Sequence, residues 1–357
     1  MEKFRSVFPG KGFFVKKGGK RIPDMLNPKE TASIYEIIQA QLLAKLRDAI
    51  ESEEPFTWIK PWKGAPYPCS YENPKRPFGA AVNFLFLETG EYLTFSQIRK
   101  LQEENPEVRI KKGAKAVYVY THFPIFEKRT DGSLKLDGKG EPILKRFGIR
   151  YVKEYHISDV VHAKSHFVES DFIHEETAQM ALADQLIQDY GKMHGLTLLE
   201  LYGCGRAYCQ GKHIVLPDRK QFESSYEYYG TIFHELGHVT KQMQPRNGTF
   251  NYAQEELVAE ITASLLCAMF HLTDDRTERN SLAYLKNWYE RIEEARPKDL
   301  YVAAAEAKRA AEQILSANPH IRAQLLPGGV WEEPKIEPPR ERKELETWKR
   351  PSMGKKR

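Results

Sequence analysis

The sequence is short of cysteine, of long apolar runs and of any strong charge imbalance. Its four cysteines (Cys69, Cys204, Cys209, Cys267) lie far apart or at no usual metal spacing. They argue for a reducing cytoplasm and against a disulfide framework. Cys204 and Cys209 leave a second metal site conceivable, but no other Cys or His pair has matching spacing. No stretch approaches the roughly 20 apolar residues that span a bilayer, so no membrane association is expected. The opening MEKFRSVFPGKGFFVKKGGKR is too broken by Lys, Arg and Gly for a signal-peptide core. Net charge is only +5, and 41% apolar content over 357 residues can fill the cores of two ordinary domains.

What is present is unevenly spread. Basic clusters at Lys16-Lys17, Lys20-Arg21, Lys60 and Lys63, Lys75-Arg76, Arg109 to Lys115 and Lys145-Arg146 all fall in the first 150 residues or so. That bias favours a polyanionic partner for the N-terminal half. The competing reading is a solvated basic face.

Periodicity predicts an α+β chain. Residues 1–29 read as a flexible basic arm. Ile34, Ile37, Ile38, Leu42, Leu46 and Ile50 recur at helical spacing, and a Pro- and aromatic-rich loop follows. A short helix begins near Thr94. Val117–Tyr120 and Ile149–Val152 read as strands joined by an extended loop with turn signals at Asp131-Gly132 and Asp137-Gly138. An α+β domain thus covers 30–160. A mainly helical domain with a small sheet covers 161–317, with helices at about 175–193, 225–242, 253–270, 277–294 and 300–315 and a strand at His213–Leu216. Residues 318–357 read as a charged tail too poor in apolar surface to fold.

The chemistry concentrates in His234-Glu235-Leu236-Gly237-His238. At about 100° per residue, positions four apart share a helix face, so both imidazoles can meet one ion. Glu235 stands beside them, placed to act on a metal-bound water without ligating. On the next helix Glu256 and Glu260 again share a face with Ala259 and Ala263. Acidic groups facing an apolar helix would be costly to bury without a positive partner. Glu256 is therefore expected as the third metal ligand, and Glu260 as the carboxylate orienting a ligand histidine through its free ring nitrogen. Glu255 is expected to be solvated. Three protein ligands leave one position open, the catalytic arrangement for zinc, and the reaction implied is peptide hydrolysis with Glu235 as general base. The alternatives are two helix-surface histidines beside an acidic helix with no metal, and a zinc site that is purely structural. The strand His213–Leu216 is the expected edge for a peptide substrate. Tyr252, Tyr229, Tyr208 and His213 stand as candidates for oxyanion stabilisation.

The stretch GRAYCQGKHIVLPDRKQFESSYEYYGTIFHELGHVT, followed by YAQEELVAEITASLLCAMF, resembles the zincin-like domain of the ArdC antirestriction family. The N-terminal half resembles that family's single-stranded-DNA-binding domain in PFTWIKPW, in Pro77-Phe78-Gly79 leading to Asn83, in Leu93-Thr94-Phe95-Ser96-Gln97 and in Arg109-Ile110-Lys111-Lys112-Gly113. The chain departs from the family pattern at Thr57, Phe78, Ala81-Val82, Cys209 and Val239. The resemblance covers about residues 30–316. It implies His234, His238 and Glu256 as ligands of one zinc ion (manganese being an alternative) and Glu235 as the catalytic carboxylate. It further implies single-stranded DNA as partner, and a role in protecting transferred mobile-element DNA from restriction.

Single strands are bound by basic grooves combined with aromatic faces on which bases stack, at roughly 1–3 kcal/mol each. Trp58, Trp62, Tyr67, Tyr71 and Phe78 interleave with Lys60, Lys63, Lys75 and Arg76, and Lys111, Lys112 and Lys115 flank Gly113. Together with Asn83 from the resemblance, these are the expected DNA-binding residues. The bland alternative is that the aromatics fill the core. The rival function is a regulatory zinc protease that cleaves a protein target recognised by its N-terminal domain.

Overall fold

A computed structural model describes residues 33–52, 67–167, 176–222, 224–247, 250–272, 290, 292–293, 296–328 and 331, without the side chains of 48–52 and 176. The chain is α+β. Its compact units are two: the larger holds the described residues up to Thr121 and from Tyr151 to Trp331, and the smaller holds His122–Arg150.

In chain order come α1 (Ile34–Ser52), β1 (Pro68–Ser70), β2 (Asn73–Pro77), a 3-10 turn (Ala81–Leu85), β3 (Gly90–Thr94), α2 (Phe95–Glu104) and β4 (Arg109–Ile110). Then follow β5 (Val117–Phe126), β6 (Leu144–His156), β7 (Val160–Val161), α3 (Glu176–His194), β8 (Thr197–Leu201), β9 (Tyr208–Gln210) and β10 (His213–Pro217). The last described helices are α4 (Ser225–Met243), α5 (Tyr252–Met269), α6 (Pro297–Leu315) and α7 (Pro319–Leu325). The helix expected at 277–294 lies almost wholly outside the described residues.

The five-stranded sheet has the order β2-β1-β3-β6-β5, with β1 parallel to β3 and β3 antiparallel to β6. α1 buries Ile37, Ile38, Leu42 and Leu46, the stripe its periodicity marks out. α2 starts where Thr94 and Gln97 form a capping box, each satisfying a backbone N–H of the other. In the smaller unit the β5–β6 ribbon ends in two turns, at which the Asp131 and Asp137 carboxylates accept backbone N–H groups from Ser133, Lys139 and Glu141.

A three-stranded sheet, β8-β10-β9, pairs β10 in parallel with β8 and antiparallel with β9. β10 is therefore flanked on both sides and is not the edge expected for it. The exposed pairing edges belong to β8 and β9. β8 escapes prediction because its five residues are all solvent-exposed and carry no alternation.

α6 is central to the larger unit. Its alanines Ala303, Ala304, Ala307, Ala310 and Ala311 are buried, and it packs on α5, α4, α1 and the 3-10 turn. Small side chains permit that many close approaches. Elements from both halves of the sequence thus share one core. Residues 318–328 and Trp331 correct the expectation of an unfolded tail where they fall in it: α7 buries Ile321 and Leu325, and Trp331 is 1% exposed with its ring 4.8 Å from Phe84; residues 332–357 lie outside the described residues. Together with Ile321, Leu325 and Leu326, the indole buries apolar surface that favours an ordered segment.

Candidate metal centre and charged surfaces

α4 begins at Ser224, whose hydroxyl accepts the Glu227 N–H, and α5 at Asn251, which forms a capping box with Gln254. Between the two helices Gly237 faces Ala259. A Cβ on Gly237 would stand 2.9 Å from the Ala259 Cα and 3.3 Å from its Cβ. Glycine opposite alanine therefore lets the backbones approach closely enough for α5 carboxylates to reach α4 imidazoles.

They do reach them. His234 Nε2 and His238 Nε2 lie 3.2 Å apart. Glu256 spans both, with Oε2 3.6 Å from His234 Nε2 and Oε1 3.5 Å from His238 Nε2. These spacings approach the edge, about 3.3–3.6 Å, of a tetrahedron whose arms are zinc–ligand bonds of ~2.0–2.2 Å. Among the described residues this is the one group of three or more His, Cys, Asp or Glu side chains able to hold a metal ion. Cys204 and Cys209 belong to no such group; their thiols face the carbonyls of Arg206 and Gly211.

Outside this triangle, Glu260 Oε2 lies 2.8 Å from His234 Nδ1. Burial pulls the His234 pKa down, but the Glu260 hydrogen bond and the charges of Glu260, Glu235 and Glu256 outweigh it, and the pKa is raised. Glu235 is 7% exposed. Its burial, opposed by His234 and His238 and aided by Glu256, lifts its carboxyl above the usual range.

Glu255 overturns the expectation of a solvated side chain. It is 6% exposed, and Arg246, from the turn between the helices, donates to both its oxygens at 3.2 and 2.6 Å. A lone arginine in a Pro-Arg-Asn turn gave the sequence no sign of this. Of the oxyanion candidates, Tyr229 is fully buried and its hydroxyl is committed to Asp184, the Met180 carbonyl and Arg219. Tyr252 is 77% exposed, and Tyr208 and His213 lie exposed on the small sheet.

Of the expected DNA-binding residues, those described are divided between surface and core. Trp58, Lys60, Trp62 and Lys63 lie outside the described residues. Lys75 is exposed and Arg76 half-buried on β2; Lys111, Lys112 and Lys115 are exposed on the loop after β4. Phe78 and Asn83 are corrected. Phe78 is 5% exposed and packs in a cluster with Leu87, Tyr92 and Val119. Asn83 is fully buried, donating to the Tyr120 carbonyl at 2.8 Å and accepting its N–H at 2.7 Å. Its amide satisfies a buried backbone position of β5 rather than a nucleotide. Tyr67 is likewise fully buried. Among the described residues Tyr71 is half-buried, and a further accessible aromatic is Tyr151, which is 38% exposed and meets Tyr118 edge-on at 4.7 Å, with Lys153 Nζ 5.7 Å above the Tyr118 ring.

Comparison with known proteins gives the context. A family model described as a zincin-like metallopeptidase (MPTase-PolyVal) matches residues 201–306. The Mn(II)-bound crystal structure of antirestriction ArdC protein from the R388 plasmid superposes with a TM-score of 0.52 at 20% identity, over 80% of this chain and 98% of that one. The chain is ArdC-like in fold. The metal-free ArdC structure agrees, with a TM-score of 0.50 at 17% identity, covering 85% of this chain and 100% of that one. DNA primase TraC of Escherichia coli is 25% identical over 315 residues, 83% of this ArdC-like chain but 20% of the primase. A second E. coli TraC is 34% identical over 110 residues, 29% of this chain and 10% of that one. An uncharacterised Sinorhizobium fredii protein, y4eC, is 24% identical over 120 residues, 31% of this chain and 38% of its own. The chain spans about a fifth of the length of the first of these relatives. Among the described residues no helix is long and apolar enough to cross a membrane.

Proposed function

We propose that the chain is a metal-dependent peptidase coupled to a single-stranded-DNA-binding region, acting in the cytoplasm to protect incoming DNA from restriction. The observation that carries it is the convergence of His234, His238 and Glu256 on one point, with the buried Glu235 next to His234 in sequence. A divalent cation held there, zinc or manganese, would supply Lewis acidity to polarise a carbonyl and acidify a water. The chain supplies the rest. Glu260 fixes the His234 ring through Nδ1, so that Nε2 faces inward. Glu235, its pKa raised by burial, accepts a proton and delivers it to the leaving amine. The exposed edge of β9, which packs on α4, offers a substrate peptide backbone pairing.

For DNA, support comes from the exposed Lys75, Lys111, Lys112 and Lys115 and from the Tyr118–Tyr151–Lys153 face. The DNA-binding region is assigned to 30–160 and the peptidase to 161–317, the basic arm 1–29 adding nonspecific affinity. Antirestriction rests on the likeness to ArdC. Burial of Phe78 and Asn83 favours a second reading, in which residues 30–160 recognise a protein and the chain is a regulatory protease.

Glu235→Gln separates catalysis from metal binding. Peptide hydrolysis should fall ~10²–10⁴-fold with one metal per chain retained. Unchanged hydrolysis would remove Glu235 from the mechanism. Anisotropy of labelled single strands with the full chain across a salt series should show a steep salt slope; no binding at low salt would leave the protease reading.

A further inference from the structure

The two histidines are held unequally by the obvious partner. Glu260 backs His234 through Nδ1, but nothing in the sequence motif backs His238. In the fold, Glu255 Oε1 stands 3.9 Å from His238 Nδ1. That carboxylate does not float. Arg246, with a 4% exposed side chain, grips it with Nε and Nη2. The same guanidinium donates from Nη2 to the Gly237 carbonyl at 2.9 Å and from Nη1 to the Thr240 hydroxyl at 3.0 Å. Thr240 in turn donates to the Gly237 carbonyl at 2.6 Å. One arginine therefore ties α4 on either side of His238, at the Gly237 carbonyl and the Thr240 hydroxyl, to the first turn of α5, one residue before Glu256.

We propose that Arg246 and Glu255 are positioning residues for the metal centre: they set the His238 ring, with Nδ1 toward Glu255 and Nε2 toward the ion, and fix its offset from Glu256. The inference rests on the metal-centre reading above. Each imidazole then has its own carboxylate from α5, Glu260 for His234 and Glu255 for His238. The arginine has a second consequence. It neutralises Glu255, so that the third carboxylate of the cluster adds no uncompensated charge beside Glu256 and Glu260. Its planar fork accounts for the choice of arginine: Nε and Nη2 hold both carboxylate oxygens while the remaining donors reach the Gly237 carbonyl and the Thr240 hydroxyl. A lysine cannot make all four contacts.

The test is zinc affinity by competition with a chromophoric chelator, on the full-length wild type, Glu255→Gln, Arg246→Lys and His238→Ala. Thermal unfolding of each metal-free protein runs alongside. Glu255→Gln and Arg246→Lys should bind zinc roughly 10–100-fold more weakly, and the cobalt-substituted proteins should show a shifted ligand-field spectrum. Unfolding should shift by less than affinity requires. Wild-type affinity and an unshifted cobalt spectrum in both variants, with only the unfolding temperature lowered, would overturn the proposal and leave the pair as a helix clamp. Should Glu255→Gln not fold, Thr240→Val removes one Arg246 contact and reads the same network. If the wild type itself binds no zinc and His238→Ala changes nothing, the metal-centre reading fails and takes this inference with it.

Discussion

In the α4–α5 pair, spacing along the sequence decides which side chains meet; in the N-terminal sheet it does not. On the helix pair, His234, His238, Glu256 and Glu260 come together, their facing atoms 2.8–3.6 Å apart. On the sheet, Phe78 and Asn83, expected on a nucleic-acid surface, lie in the core, while Tyr151 is exposed. The difference is one of geometry. A helix converts spacing into facing, so His234 and His238 must share a side. An aromatic or an asparagine in an irregular segment carries no such constraint: its identity says it can stack or hydrogen-bond, and only the fold says with what.

The sharpest test of the first region is loss of a ligand. His238→Ala or Glu256→Ala should abolish stoichiometric metal binding, read by metal analysis after dialysis. Retention of one ion per chain would dissolve the cluster as a site. Gly237→Ala tests the approach that assembles it. The new methyl would meet the Ala259 backbone at 2.9 Å, and overpacking of this kind costs about 1–3 kcal/mol. Both stability and metal affinity should fall. A variant that loses neither would mean that the helices have room to spare.

In the second region the largest effects should be on stability, not on DNA. Phe78→Ala should cost roughly 3–5 kcal/mol. Asn83→Ala should cost roughly 2–4 kcal/mol, because it strands the N–H and carbonyl of Tyr120 in the core. Denaturant midpoints check both, and the surviving folded protein should bind single strands as the wild type does. The contrasting variant replaces Lys111, Lys112 and Lys115 by alanine. Its stability should stay within about 0.5 kcal/mol, and its single-strand affinity should drop with a flatter salt slope. A reversal of these two patterns would restore Phe78 and Asn83 to the surface and dismiss the basic loop.

Legibility follows the same division. The α+β class, the capped starts of α2 and α5 and the Asp-Gly turns were all readable, because Thr94-Gln97, Asn251-Gln254 and Asp131 act on neighbours three residues away or fewer. What was missed acts over distance. Arg246 and Glu255 stand nine residues apart across a turn, and Trp331 finds Phe84 on another part of the chain. Strand β8 needs β10 beside it to be a strand at all. Local rules locate a helix face, but they do not say which buried partner waits for a charged or aromatic side chain.

The smallest expected effect contrasts two histidines whose pKa values move in opposite directions. His234 is raised because carboxylates surround it. His156, on β6, is lowered mainly by burial. Its environment fits the neutral ring: Nε2 faces the Thr89 carbonyl at 3.2 Å and must carry the proton, while Nδ1 faces the Ser158 N–H at 3.3 Å and must accept. The ring fills the space beside Gly90, where a Cβ would lie 2.2 Å from Nε2. A depressed folded-state pKa means that the unfolded chain binds the proton more readily. The stability from His156 is therefore complete above the ordinary histidine range of about 6.5 and is lost as pH falls below it. For metal-free His234 the sign is reversed: its contribution is present below that range and is lost as pH rises through the raised folded-state value. Urea midpoints of the metal-free protein between about pH 5 and 8 should steepen toward acid in His234→Gln and flatten there in His156→Gln. Identical pH profiles for the two variants would mean that burial and carboxylates do not act on these rings as their surroundings require.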